Sequence, residues 1–221
     1  MPALRSGRIL SPVSHKLGKR PALLSPRSVS AAMALLFLIT GCTPFDLILG
    51  GGATAGVAAS EERGVDGSLS DAKIGTQISA EWAHKNSNTF IALGLSVYEG
   101  RTLITGLLKT QQDVDDAIKI AWGVGGVREV INEIIIDPSG VTGTFTSDTF
   151  IVAQLKAKLL IDKEVSAVNY SVDAVRGIVY LIGVAQSQDE LDRVIGYARN
   201  IRYVQKVVNH VLLKDDPRRK S

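Results

Sequence analysis

From Asp71 onward the hydrophobic positions fall into two runs of one pattern, set 77 residues apart without a gap, and each run predicts the same elements. Ile74, Ile78 and Trp82, and then Ile151, Leu155 and Leu159, recur every four residues, a spacing that lines one face of a helix. Ser70 and Ser147 stand where the N-caps of these helices are expected. Ile91, Leu93, Leu95 and Val97 then alternate with smaller or polar residues, as do Val168, Tyr170, Val172 and Ala174, which predicts a half-buried strand. Glu99-Gly100 and Arg176-Gly177 separate these strands from more continuous apolar runs at 102–108 and 178–184. A glycine at one fixed place between two strands predicts a tight hairpin, and a run without alternation predicts a central strand covered on both faces. Gly106 and Gly183 lie at one point inside it, marking a bulge or the close approach of another backbone.

A second helix follows in each run. Thr110 with Asp113, and Ser187 with Glu190, place a hydroxyl and an acid three residues apart, a capping-box pattern that the glutamate fits better. Behind these caps, Val114, Ala117, Ile118 and Ala121 match Leu191, Val194, Ile195 and Ala198 as a buried stripe, and last strands at 127–136 and 204–213 close the units. A right-handed crossover from the central strand makes the last strand parallel to it. The expected fold class is therefore α+β: two tandem αββαβ domains, each a three-stranded mixed sheet with two helices packed on one face. Their expected bounds are 70–137 and 147–214, with a linker at 138–146 and a charged tail at 215–221.

The amino-terminal part reads differently. An apolar run from about Val29 ends at Cys42, the only cysteine, and follows Arg20 and Arg27. Basic residues, a short apolar run and small residues in that order predict a secretory signal over 1–41, too short to span a bilayer. A Gly-, Ala- and Ser-rich stretch, 42–69, then predicts a flexible tether. Its glycines lack the Gly-Lys-Ser/Thr sequel of a phosphate-binding loop. The formal charge of +3 is set by the leader, whose six Lys/Arg face no acid. Residues 42–140 carry 7 basic and 13 acidic groups, or −6, whereas residues 141–221 carry 12 and 9, or +3. The two halves should differ in their attraction to anionic surfaces.

Ile39-Thr40-Gly41-Cys42 resembles the lipobox of bacterial lipoproteins. That resemblance implies cleavage before Cys42, lipidation of its sulfur and a stable acyl anchor. With Thr43 rather than Asp after Cys42, it further implies sorting to the outer membrane, with the domains in the periplasm. The two repeats resemble the BON domain. Its pattern is carried by Gly106, Ala121, Gly126-Val127, Val130 and Asn132 in one copy, and by Gly183, Ala198, Val204, Val207 and Asn209 in the other. The second copy departs from it with Tyr203 where a glycine is expected. A lipobox followed by two such domains is similar to the dual-BON lipoproteins of the bacterial envelope. This similarity implies phospholipid binding and a part in envelope integrity or stress tolerance.

Reactive chemistry is sparse. His84 and His210 are the only histidines beyond the leader, no metal-ligand spacing surrounds them, and Asp115-Asp116 read as a solvated helix face, so neither an enzyme nor a cofactor is expected. The mature chain is net acidic and its basic half lacks an aromatic stacking platform, which argues against nucleic acid. The copies differ where a function could have been added. The first helix of the second domain has Phe150 for Lys73, Lys156 for Ser79, Lys158 for Glu81 and Leu160 for Ala83. If Ile151, Leu155 and Leu159 face the core, Phe150, Ala157 and Ile161 lie on another face. An uncovered apolar stripe flanked by lysines has the character of an interfacial membrane contact. The alternative is that Phe150 packs on the other domain or at the end of its own core. The expected site is thus Phe150, Lys156, Ala157, Lys158, Leu160 and Ile161 for anionic phospholipid, with Cys42 lipidated. A protein-interaction scaffold recruiting envelope assembly or cell-wall partners is the competing expectation.

Overall fold

Each domain is organised by its hairpin. Glu99 and Gly100 both take positive φ (53° and 72°), as do Arg176 and Gly177 (54° and 75°). Two consecutive left-handed residues make the two-residue turn whose twist matches the flanking strands. Around it the computed structural model, which describes residues 61–139 and 145–219, runs α1 (Gly64–Phe90), β1 (Leu93–Tyr98), β2 (Arg101–Leu108), α2 (Gln111–Trp122) and β3 (Glu129–Ile136). The second domain repeats this as α3 (Phe145–Ile161), β4 (Tyr170–Val175), β5 (Ile178–Ala185), α4 (Gln188–Arg199) and β6 (Lys206–Leu213). The described residues belong to one compact unit, Phe45–Ser221. The expected signal, Cys42 and most of the expected tether lie outside the described residues.

Both sheets have the expected topology, order β1-β2-β3 and β4-β5-β6, antiparallel across the hairpin and parallel across the crossover. Ile74, Ile78 and Trp82 pack with Val114, Ala117 and Ala121 of α2 over Ile104 and Leu108. The second core repeats the arrangement with Ile151, Leu155, Leu159, Leu191, Val194 and Ala198 over Val179 and Leu181. A third cluster explains why the central strands do not alternate. Tyr98, Leu103 and Ile131 of the first sheet meet Tyr180, Ile182 and Val184 of the second, so the sheet faces without helices cover one another. Polar pairs rim that contact: Arg101 reaches Glu129 at 2.6 Å and the carbonyl of His210 at 2.9 Å, while His210 Nε2 lies 2.8 Å from Glu133. Burial among these groups pushes the Tyr180 phenol up to about 12. All three clusters draw on residues from 74 to 213, so the chain from residue 60 holds every core contact described.

Several local expectations are corrected. Ser70 and Ser147 do not cap helices, because α1 begins at Gly64 and α3 at Phe145. The first turns of α1 therefore lie inside the stretch expected to be tether. They are held by Arg63, whose guanidinium donates to Asp71 (2.5 Å) and the Val97 carbonyl (2.9 Å) and sits 4.4 Å over the Tyr98 ring. The cap assignments at Thr110 and Ser187 agree with the structure: each hydroxyl accepts from the backbone N–H three residues on, at 3.1 and 3.2 Å. Glu190, however, does not reach back to Ser187. Buried, it accepts from the N–H groups of Gln186 (2.5 Å) and Ser166 (2.7 Å), tying α4 to the loop after α3. Ile91 and Val168 precede the strands rather than opening them, Ile91 at the C-cap of α1 and Val168 in the short 3-10 helix Ala167–Asn169. At Gly106 and Gly183 the register is unbroken, so these positions are close approaches and not bulges. The expected tail is pinned too: Arg219 pairs with Glu99 at 2.5 Å and with Glu62 at 3.4 Å.

Candidate lipid-facing surface

The outer face of α3 is set by the residues that anchor its inner one. Ile151, Leu155 and Leu159 are fully buried, and Asp148 on the same side accepts from the hairpin N–H groups of Arg176 and Gly177, each at 2.8 Å. At about 100° per residue, Phe150, Ala157, Leu160 and Ile161 then share an arc about 100° wide on the far side. Lys156 and Lys158 border that arc on opposite edges. The apolar arc is uncovered: Phe150 is 41% exposed, Leu160 72% and Ile161 81%, and Ala157 is exposed as well.

The lysines differ in their settings. Lys158 Nζ lies 5.8 Å over the Tyr197 ring of α4. The Tyr197 hydroxyl donates to Asp162 at 2.6 Å and holds that carboxyl below its usual range, with Arg193 at 3.6 Å adding to the effect. Lys156 instead lines a cleft of about 130 Å³ with Leu159, Leu160, Ala167, Val168 and Tyr170.

Phe150 lies outside all three core clusters. Its ring meets Tyr203 of the same domain edge-on, centroids 6.2 Å apart at 73°, and the Arg202 guanidinium sits 4.6 Å over the Tyr203 ring. The turn between α4 and β6 thus joins the α3 arc, with Arg199 ending α4 and Lys206 opening β6 on either side of it. Tyr203 holds φ +75° where the first domain has Gly126 at φ +99°. A left-handed, non-glycine residue costs roughly 1–2 kcal/mol. An exposed aromatic that carries this strain is spent on the surface and not on the core, since Tyr203 is 51% exposed. Tyr203→Gly is expected to raise the urea midpoint by an amount worth about 1 kcal/mol. A lowered midpoint would show that the contact with Phe150 outweighs the strain.

The first domain presents nothing similar at these positions: Lys73, Ala80, Ala83 and His84 stand on the arc, and Gly125-Gly126 at the turn. Among the described residues no group of three or more His, Cys, Asp or Glu is placed to hold a metal, and no helix is long and apolar enough to cross a membrane. Sequence reasoning left Tyr203 and Arg202 apart from Phe150. The signal that could have joined them was the glycine-to-tyrosine departure in the same copy as the lysine-to-phenylalanine one.

The described residues form two αββαβ domains joined sheet to sheet, with Phe150, Tyr203 and Arg202 gathered on the second. The chain belongs to the BON domain family, whose model matches residues 70–138 and 147–215. It is 28% identical over 191 residues to the outer membrane lipoprotein DolP of Haemophilus influenzae, covering 84% of this chain and 95% of that one. An uncharacterized protein of the gshII 5' region of Anaplasma centrale is 40% identical over 57% of this chain and 83% of its own length. The osmotically-inducible protein Y of Escherichia coli is 30% identical over 50% of this chain and 56% of its own.

Proposed function

We propose that this chain is a non-catalytic outer-membrane lipoprotein, anchored at Cys42 with its domains in the periplasm, whose second domain rests on anionic phospholipid and supports envelope integrity or stress tolerance. The observation that carries this reading is the exposed arc of Phe150, Ala157, Leu160 and Ile161, bordered by Lys156 and Lys158 and extended by Tyr203 and Arg202. The likeness to DolP along most of both chains supports the anchor and the location.

Magnitudes assign the parts. A lysine near an anionic surface contributes on the order of 1 kcal/mol. Burying a phenylalanine side chain fully adds roughly 1.5–3 kcal/mol, and Phe150, already part-covered by Tyr203, would gain a fraction of that. Both are small beside an acyl anchor, so the arc orients the domain and selects lipid while Cys42 holds the chain at the bilayer.

Sedimentation of the chain from Ser60 with vesicles tests this reading. Binding is expected to anionic and not neutral vesicles, and to weaken at high salt. Phe150→Asp should abolish it with the circular dichroism unchanged, because the residue stands outside the cores, whereas Lys73→Asp should do little. Retained binding by folded Phe150→Asp would remove α3 from the lipid surface.

A further inference from the structure

The first domain holds a cleft that the second repeats with a different rim. Ser79, Trp82, Ala83, Phe90, Ile91 and Leu93 line a space of about 240 Å³ between the end of α1 and β1. Their counterparts 77 residues on are the six residues that line the smaller cleft beside α3. The fold itself therefore makes this cleft, and the side chains at its rim decide what enters it.

The rim of the second cleft carries Lys156, whereas Ser79 holds that place in the first, and Ser87 lines its far side. Its floor is aromatic and fixed: Trp82 and Phe90 are buried with ring centroids 6.1 Å apart, and the Trp82 indole N–H donates to the Ala117 carbonyl at 3.2 Å. At its mouth Ile91 is 85% exposed. β1 is an outer strand whose partner among the described residues is β2 alone. Among the described residues no cation lines this cleft to receive a phosphate, and residues 61–139 carry 7 basic against 12 acidic groups, which repels anionic headgroups. Neutral hydroxyls, an aromatic floor and a neighbouring sheet edge suit a polypeptide, whose side chain fills the cleft and whose backbone lies along the strand. The net charge of −5 over residues 61–139 favours basic flanks.

We propose that the cleft of the first domain docks an apolar side chain from an extended, basic-flanked segment of a partner protein. This inference goes beyond the lipid reading and does not rest on it, since it concerns the other domain.

The test uses the chain from Ser60, labelled with nitrogen-15, and follows the indole N–H of Trp82, distinguished from that of Trp122 by Trp122→Phe. A blocked KLFLK peptide is expected to shift the Trp82 resonance saturably, and an ELFLE peptide to bind at least about tenfold more weakly. Ser79→Lys and Ile91→Gln, both at exposed positions, should each weaken KLFLK several-fold without moving the unfolding midpoint. Phe150→Asp should leave peptide binding intact, which separates this result from the fate of the lipid surface. Equal binding of the two peptides, or none of either, would overturn the proposal. So would a Trp82 resonance that responds to anionic vesicles, marking a lipid cleft, or to protein concentration alone, marking a second copy.

Discussion

Gly183→Ala is expected to unfold the second domain or to lower its stability by at least about 3 kcal/mol, read as a large drop in urea midpoint. Gly183 sits at φ +147°, a conformation that side-chain-bearing residues rarely adopt. A Cβ there would fall on the carbonyl oxygen of Asn169, with Tyr170 Cα 3.1 Å away. Those atoms are backbone at the start of the paired strand and of the residue just before it, since Gly183 faces Tyr170 in the register, so relief requires the strands to part there. Strand separation would open the core at β5, where Leu181, Ile182 and Val184 are fully buried. The strain alone costs roughly 1–3 kcal/mol, and lost packing adds to it, against a typical total of 5–15 kcal/mol for a domain. Gly196→Ala is the control. Gly196 lies inside α4, and a methyl group added there would meet nothing within 4 Å, so alanine should stabilise by roughly 0.5–1 kcal/mol through helix propensity. A Gly183→Ala chain with the parent midpoint would show that the close approach is not rigid.

The same glycine shows how much was legible in advance. Its position inside an apolar run, repeated 77 residues apart, pointed to a backbone constraint. The choice between a bulge and a close approach depended on what the neighbouring strand does, which periodicity does not encode. Helices, strands and their order followed from the spacing of apolar residues, because each element buries one face of its own domain. The lack of alternation in β2 and β5 announced a second covering, but not that Tyr98 and Leu103 would meet Tyr180 and Ile182 of the other sheet. Partners chosen across domains leave no local period. Ser70 misled for a related reason: a hydroxyl before an apolar run is the usual cap, yet Arg63 holds the earlier turns of α1 by contacts to Asp71 and to the distant Val97 of β1. At the candidate surface, Phe150 and the lysines were visible by comparing the two copies, whereas the meeting of Phe150 with Tyr203 is a product of the fold.

Asp148→Ala is expected to destabilise the second domain by roughly 3–5 kcal/mol while leaving the α3 arc chemically unchanged. Asp148 points inward just before the exposed positions of the arc begin, and it is 8% exposed. Its two carboxylate oxygens accept separately, Oδ2 from Arg176 and Oδ1 from Gly177, both at 2.8 Å. The first domain builds the same clasp, with Asp71 accepting from Glu99 at 2.7 Å and Gly100 at 2.8 Å. In both, the donors are the left-handed residues of the hairpin turn, so the carboxylate holds a part of the sheet that carries backbone strain. Hydrogen bonds to a charged group contribute roughly 1.5–3 kcal/mol each, and alanine would leave two N–H groups without their acceptors. Asp148→Asn keeps one acceptor oxygen but turns an N–H₂ toward the other donor, so an intermediate loss of about 2 kcal/mol is expected. The measurement is the urea midpoint of the three chains. The order wild type, asparagine, alanine supports the clasp, and equal midpoints for all three would mean that the turn holds itself. Because α3 is tied to the hairpin through this clasp and the core stripe, Asp148→Ala should also weaken vesicle binding in proportion to the domain left folded, and not beyond it.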